Sequence, residues 1–339
     1  MDIPSSLNLP LTITVSPERW PIAGSFAISR GVKTEAVVLV TELSDGKVRG
    51  RGECVPYARY GESVESVTAA IEAMRVQLAS GLDRVGLQRA MPPGAARNAL
   101  DCAFWDLEAK RSGRLVHELA GLAAPRELTT AFTISLAAPA AMAEAAAKAA
   151  GHTLLKVKLG GDNDHGGDAA RIAAVRTAAP RATLIVDANE GWRETDLARN
   201  FAACARAGVA LVEQPLPDGA DGALASMARP ISVCADESAH DRASLPALAG
   251  KYDAVNVKLD KAGGLTEALA MAVEAKRLGF DVMAGCMVAT SLAIAPAMLL
   301  AQRARYVDLD GPLLLARDRA HGLRYRGSLV FPSSPALWG

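Results

Sequence analysis

Three carboxylates end three successive apolar runs in this sequence: Asp187 in TLIVDAN, Glu213 in VALVEQP and Asp236 in ISVCADE. The run before them, LLKVKLG, carries Lys156 and Lys158, and the run after them, AVNVKLD, ends on Lys258. Like charges gathered in a low-dielectric site repel one another unless a cation neutralises them. An all-oxygen donor set suits Mg2+, or Mn2+, rather than zinc. Lysines on either side of such a site suggest proton chemistry next to a bound carboxylate. Removing a proton α to a carboxylate builds an ene-diolate, which a cation on the carboxylate oxygens stabilises while an amine takes the proton. With one lysine on each face, a proton leaves from one side and another arrives from the opposite side. That 1,1-proton transfer gives racemisation or epimerisation, whereas a single working lysine would suit β-elimination or cycloisomerisation. Lys156, two residues before Lys158, points to the same side of its strand. An ammonium neighbour and a dication both favour the neutral amine that a general base needs.

The elements that must position these groups recur with a period. Short apolar runs (TTAFTISL, LLKVKLG, TLIVDAN, VALVEQP, ISVCADE, AVNVKLD, FDVMAGC, YVDLDG) alternate with stretches read as helical, one after every run but the last. Such alternation marks a parallel sheet with both faces covered. Each run ends in a polar residue, in order Thr133, Lys158, Asp187, Glu213, Asp236, Lys258, Cys286 and Asp308, spaced 22–29 residues apart. Eight βα units close into a barrel whose active site lies at the C-terminal ends of the strands, about 5 Å apart between neighbours. The fold class is therefore α/β, a (β/α)-barrel of modified TIM type. Upstream, LTITV, EAVVLVTEL and KVRGRGE, with a Ser44-Asp45-Gly46 turn, read as an antiparallel sheet. Two helices follow, the second stopping at Gly113. The organisation predicted is an N-terminal α+β capping domain over residues 1–118, a barrel over 119–317 and a C-terminal tail, 318–339, packing back on the cap.

Composition narrows the partners. Half of the 339 residues are apolar, and 37 Lys plus Arg balance 37 Asp plus Glu. A neutral chain has no field to draw nucleic acid or an acidic membrane surface. Residues 282–301 carry no charge, but Gly285, Thr290, Ser291 and Pro296 divide them into a strand, a loop and a helix rather than a membrane span. Five widely spaced cysteines suggest free thiols in a reducing cytoplasm, and the first residues do not read as a signal peptide. The five histidines show no metal-ligand spacing, and the Gly-rich stretch at 160–167 is not a phosphate loop. Asn98, Asp101, Trp105 and Asp106 recur at helical spacing and suit capping and interface packing. Phe26, Tyr57 and Tyr60 are placed in N-terminal loops able to cover the barrel mouth. Asp308 and Asp310 share one side after an apolar run and suit a buried ammonium, unless Asp310 only caps the Gly-Pro turn.

The K-V-K pair, D-A-N-E-G-W, E-Q-P, A-D-E-S and N-V-K-L-D-K-A-G-G-L resemble the enolase superfamily, in particular its muconate-lactonising subgroup. R-G-E-C-V-P-Y-A-R-Y-G-E, G-A-A-R-N-A-L-D-C-A-F-W-D-L, C-A-D-E-S and Y-V-D-L-D-G-P are similar to the bacterial L-Ala-D/L-Glu dipeptide epimerases. The resemblance runs from about Trp20 to Gly327. It implies Asp187, Glu213 and Asp236 as ligands of one Mg2+ per subunit, with Mn2+ as the alternative. It implies Lys158 and Lys258 as the acid/base pair, with Lys156 as their helper. It matches Asp308 and Asp310 to the substrate ammonium, Arg30 to the glutamyl side chain, Thr133 to a hydroxyl facing the substrate, and the stretch around Cys286 to the substrate pocket. The implied activity is epimerisation of a small dipeptide derived from murein. Epimerases of other dipeptides, N-acylamino-acid racemases and o-succinylbenzoate synthases are the alternatives. A cytoplasmic homo-oligomer is expected. A catalytically silent sensor barrel is disfavoured, because binding alone needs no base on either face.

Overall fold

The computed structural model describes residues 10–161 and 166–339. The first nine residues, read above for a signal peptide, and His165 with the centre of the Gly-rich stretch lie outside the described residues. The chain opens with a three-stranded antiparallel sheet, β1 (Thr12–Ile28), β2 (Gly31–Ser44) and β3 (Arg49–Cys54). Five helices follow: α1 (Val64–Glu72), α2 (Arg75–Ala79), α3 (Arg84–Ala90), α4 (Ala95–Ser112) and α5 (Val116–Leu119). Ser63 caps α1 through the backbone N–H of Ser66, and Asp83 caps α3 through that of Gly86. The long helix α4 lies flush on β3 because Gly50 and Gly52 leave it room. A Cβ on Gly52 would fall 2.0 Å from the Ala99 carbonyl, and one on Gly50 2.2 Å from that of Ala103. Leu39, Leu43, Ile71, Leu87, Leu100 and Leu107 fill this domain's own core.

After β4 (Leu128–Thr129) come the barrel strands: β5 (Phe132–Ile134), β6 (Leu154–Lys158), β7 (Thr183–Asp187), β8 (Val209–Glu213), β9 (Ser232–Ala235), β10 (Ala254–Val257), β11 (Asp281–Gly285) and β12 (Tyr306–Asp308). They pair in parallel in chain order, and the Ala131 N–H donates to the Val307 carbonyl at 2.8 Å to join the two ends. The helices on the outside are α6 (Pro139–Lys148), α7 (Gly167–Ala178), α8 (Leu197–Arg206), α9 (Leu259–Ala262), α10 (Leu265–Arg277) and α11 (Ser291–Ala301). Two crossovers depart from the expected helices. After β8 and β9 the chain forms only short 3-10 turns, over Gly222–Ala225 and Arg242–Leu248. Pro215, Pro217 and Gly219 precede the first and Pro246 sits inside the second, where each removes a backbone donor or adds flexibility. The uncharged stretch resolves into β11, a loop and α11, and no helix among the described residues is long and apolar enough to cross a membrane.

Alternation along the strands builds the site. Val157, Val186, Val212, Val255 and Val307 face outward into the helix-packed core. Leu154, Ile185, Leu211, Cys234, Ala254 and Met283 form an apolar layer inside the barrel. Two residues further along each strand, on the same inward side, stand Lys156, Asp187, Glu213, Asp236, Asn256 and Gly285. The C-terminal segment returns as β13 (Tyr325–Arg326) and β14 (Leu329–Val330), which pair with β4. It ends against α4, where the Trp338 indole donates to the Cys102 carbonyl at 3.0 Å and the Gly339 N–H to Asp106 at 2.9 Å.

Candidate active site

Strand register sets the geometry of the floor. Lys158 lies opposite Asp187, and Asp187 opposite Glu213. Cys234 pairs with Glu213, so Asp236 stands one inward position higher. The Lys158 ammonium donates to Asp187 at 2.6 Å and that of Lys258 to Asp236 at 2.7 Å. Lys156 reaches between them, 2.7 Å from both Asp308 and Glu213 and 3.2 Å from Asp187. Burial disfavours charge on Lys156, but Asp308, Glu213 and Asp187 outweigh it and hold the ammonium well above the lysine range. Lys258 is likewise held high, by Asp236 against burial. Both lysines thus serve as counter-charges to these acids. The same pairing holds Asp187 down to about 2 and Asp236 well below the carboxylate range, against burial in both cases.

Glu213 behaves differently. Burial and the charge on Asp187 push its carboxyl up to about 7, against Lys156. Its Oε1 accepts from Asn256 at 2.7 Å. Its Oε2 lies 2.7 Å from Lys156 but outside hydrogen-bonding direction, and so has no hydrogen-bond partner. Gly285 makes room for the supporting amide, since a Cβ there would sit 2.4 Å from Asn256 Oδ1. Among the described residues no three acids or imidazoles are already arranged around a common ion position, because each acid faces an ammonium or an amide. The donor set still fits a hard dication: three buried carboxylates, one with an unsatisfied oxygen and a raised carboxyl, and no sulfur or imidazole among them.

Above this floor opens a cavity of about 870 Å³, lined by Phe26, Arg30, Tyr57, Tyr60, Thr133, Lys156, Lys158, Asp236, Lys258, Cys286, Asp308 and Asp310, with Lys33, Arg59 and Glu237 among others. Asp310 does not cap the turn after it with its side chain; it accepts from the Thr133 N–H at 2.7 Å instead. Burial and the neighbouring Asp308 push the Asp310 carboxyl up to about 7, and Asp308 Oδ1 is buried without a partner. Two adjoining acids on the wall thus have less positive charge than they can accept. Burial and the same two aspartates push the Cys286 thiol far above its ordinary value. Phe26 is not in a loop as expected: it belongs to β1, past an irregularity in pairing after Pro21, and its ring lies 5.7 Å from the Lys158 ammonium. Tyr57 precedes and Tyr60 ends a short 3-10 turn, Ala58–Tyr60, with their rings 5.5 Å apart.

Arg30 sits at the turn between β1 and β2 and binds protein groups. It donates to Glu237 at 2.7 Å, Asn189 O at 2.8 Å, Glu190 at 3.1 Å and the Tyr57 hydroxyl at 3.3 Å. Arg59 grips both oxygens of Glu190, at 2.7 and 2.8 Å. Asn189 and Glu190 hold positive φ of 44° and 67°, a left-handed step in which the Asn189 carbonyl and the Glu190 carboxylate meet the cap while the Asn189 amide donates to Glu237.

This arrangement has relatives. Residues 139–326 match the enolase C-terminal domain-like family, and residues 11–121 match the mandelate racemase / muconate lactonizing enzyme N-terminal domain. The chain belongs to the mandelate racemase / muconate lactonizing enzyme family. It is 49% identical to the L-Ala-D/L-Glu epimerase of Escherichia coli K12, over 93% of this chain and 97% of that one. It is 46% identical to an N-acetyl-D-glutamate racemase of a Pseudoalteromonas species, over 89% and 95%. A family member from Agrobacterium tumefaciens, solved with bound sodium and L-Ala-L-Glu, is 53% identical with a TM-score of 0.94, covering 97% of this chain and all of the other. A dipeptide epimerase from Methylococcus capsulatus, solved with Mg and L-Arg-D-Lys, is 31% identical with a TM-score of 0.85, covering 96% of this chain and 97% of the other.

Within this family member, several site residues escaped the sequence reading. Lys261 is the clearest: its ammonium donates to Asp236 Oδ1 at 2.6 Å and to the Asn256 carbonyl at 3.0 Å, fixing the carboxylate that Lys258 also touches. Its signal was a second lysine one helical turn after Lys258 in the same motif. Asn256, Glu190, Glu237 and Arg59 were also missed, because their partners are remote in sequence.

Proposed function

We propose that this enolase-superfamily protein is an isomerase that epimerises L-Ala-D/L-Glu through a two-base 1,1-proton transfer. The observation that carries the reading is the placement of Lys158 and Lys258 in one cavity, each against a different carboxylate of the buried triad. Asp187, Glu213 and Asp236 would hold Mg2+, which when bound supplies the positive charge that an ene-diolate requires. The protein's own groups do the rest. One lysine amine takes the α-proton of the second residue while the other, as ammonium, returns a proton to the opposite face. Lys156 keeps positive charge beside the developing ene-diolate, and Lys261 with Asn256 orients the acids. Asp308 and Asp310 receive the N-terminal ammonium, which would give Asp308 Oδ1 and Asp310 a cation beyond the Lys156 already on Asp308. Thr133 lines the same wall, its backbone holding Asp310. Phe26, Tyr57 and Tyr60 exclude water above. The five unpaired cysteines accord with a cytoplasmic enzyme handling murein peptides.

A relative named as an N-acetyl-D-glutamate racemase, at nearly the same identity, favours a second reading in which the substrate is acylated. One experiment separates the two. The protein is incubated in D2O with Mg2+ and either L-Ala-L-Glu or N-acetyl-L-glutamate, and deuterium at Cα is followed, with an excess of chelator as control. The expected outcome is fast incorporation into the glutamyl residue of the free dipeptide, little into the acetylated amino acid, and none with chelator. Equal or faster exchange in N-acetyl-L-glutamate would assign the protein to the acylamino-acid racemases. Full activity in chelator, with metal absent by elemental analysis, would remove the metal site.

A further inference from the structure

Six cationic side chains line the cavity: Arg30, Lys33, Arg59, Lys156, Lys158 and Lys258. Five have carboxylate partners. Lys156 lies among Asp308, Glu213 and Asp187, Lys158 is on Asp187 and Lys258 on Asp236. Arg30 is on Glu237 and Glu190, and Arg59 is on Glu190. The two arginines and the two glutamates form a cluster of balanced charge, so Arg30 brings little net positive potential to the mouth. Lys33 is different. Among the described residues it has no carboxylate partner, and its ammonium lies 4.9 Å from the centre of the Tyr57 ring, on the ring whose hydroxyl accepts from Arg30.

Its direction follows from strand register. Lys33 on β2 pairs with Phe26 on β1. Directly opposed residues in an antiparallel pair project from the same face. Phe26 lies against Lys158, so that face is the one turned to the mouth. Lys33 thus stands by Tyr57, which bonds Arg30, itself held by Glu190 after β7 and Glu237 after β9. In the strand order these lie across the barrel from β12, which leads to Asp308 and Asp310, so a dipeptide whose ammonium is on those aspartates would extend its second side chain toward Lys33.

We infer that Lys33 is a specificity-determining residue, supplying the uncompensated positive charge that selects an acidic side chain at the second position of the substrate. The inference rests on the dipeptide-epimerase reading above. In this arrangement Arg30 shapes the pocket and Lys33 sets its charge. An ammonium on a flexible, exposed stem gives a modest and salt-sensitive preference rather than an absolute one.

The test compares kcat/KM for L-Ala-L-Glu with that for L-Ala-L-Gln, which matches it in shape and lacks the charge. In Lys33→Met the Glu-over-Gln ratio falls about three- to tenfold through KM for the acidic dipeptide. Lys33→Arg retains the ratio and Lys33→Glu lowers it further. High salt lowers the ratio in the unmodified protein and leaves that of Lys33→Met flat. An unchanged ratio in Lys33→Met, or equal loss on both dipeptides, overturns the role of Lys33 while leaving the epimerase reading intact. Failure of the unmodified protein to turn over either dipeptide overturns both.

Discussion

At the scale of single residues, the site is a set of buried charges, most of them paired, with two oxygens, Glu213 Oε2 and Asp308 Oδ1, short of a hydrogen-bond partner. Asp187 and Asp236, held by Lys158 and Lys258, are pulled low, and Glu213, whose Oε2 lacks a hydrogen bond, is pushed up to about 7. This pairing bears on what lysine substitutions do to folding. Lys258→Ala leaves Asp236 held by Lys261, and Lys158→Ala leaves Asp187 within 3.2 Å of Lys156. Neither removal strands a buried carboxylate, the situation that makes breaking an ion pair costly. Both variants should therefore fold, and both should lose epimerisation by about a hundredfold to ten-thousandfold, the usual effect of deleting a general acid or base. Each should keep wash-in of deuterium from the face its remaining lysine serves, when the dipeptide epimer presenting its proton there is supplied. Proton NMR in D2O measures both quantities. A variant that epimerises near the unmodified rate would end the two-base assignment.

At the scale of elements, the barrel positions acids and lysines, and Glu190 of the barrel gathers several of the contacts that hold the cap over them. Glu190 accepts from Arg30 of the first hairpin, from Arg59 of the turn after β3 and from the Asp218 N–H of the loop after β8, at 2.9 Å. Removing Arg59 should loosen the cap without touching the floor. In Arg59→Ala, amide hydrogen exchange over residues 57–61 should speed up by about tenfold or more, while β6 and β7 remain protected. The same rates in the two proteins would show that this ion pair holds nothing down. The contrast with sequence reading is instructive. The strand ends were legible because a parallel barrel turns every apolar run into a pointer at one place, so Lys158, Asp187, Glu213, Asp236 and Lys258 could be found from spacing alone. The cap contacts were not, since Arg59 and Glu190 are 131 residues apart and nothing in either neighbourhood names the other. The crossovers after β8 and β9 were read as helices from the period, and their prolines and glycines overruled it. Arg30 was matched to a substrate group by resemblance, and the protein partners that occupy it in this structure include half-buried Glu190 and buried Glu237, which follow the metal-ligand motifs.

At the scale of the whole molecule, the two domains are joined through buried polar groups as well as apolar packing. Glu53 of β3 receives Arg319 of the C-terminal segment at 2.7 Å and the Thr290 N–H at 2.9 Å. Arg97 of α4 donates to the carbonyls of Ala262 and Gly263 at 2.7 and 3.0 Å. Between them Asp260 of α9 accepts from the Val55 N–H at 3.0 Å and from Asn98 at 2.8 Å, both through Oδ1. No cation contacts it in this network, and burial pushes its carboxyl up to about 7. The sign of the linkage follows. In the unfolded chain an aspartate ionises near pH 4, so between about pH 4 and 7 the folded protein holds a proton that the unfolded chain has released. Stability from this group is fully present below about pH 4 and is lost as pH rises through 7, on the order of 1.4 kcal/mol per pH unit within that window. Asp101, raised by burial to about 6, works in the same direction over a narrower range. Asp260→Asn keeps the Oδ1 acceptor and removes the ionisation. Its Tm should therefore fall less between about pH 5 and pH 8 than that of the unmodified protein, by a few degrees. Calorimetry at several pH values measures the difference, with chelator present so that metal binding adds nothing. Parallel Tm curves for the two proteins would mean that Asp260 is ionised in the fold, held by solvent or by a rearranged partner at the domain interface.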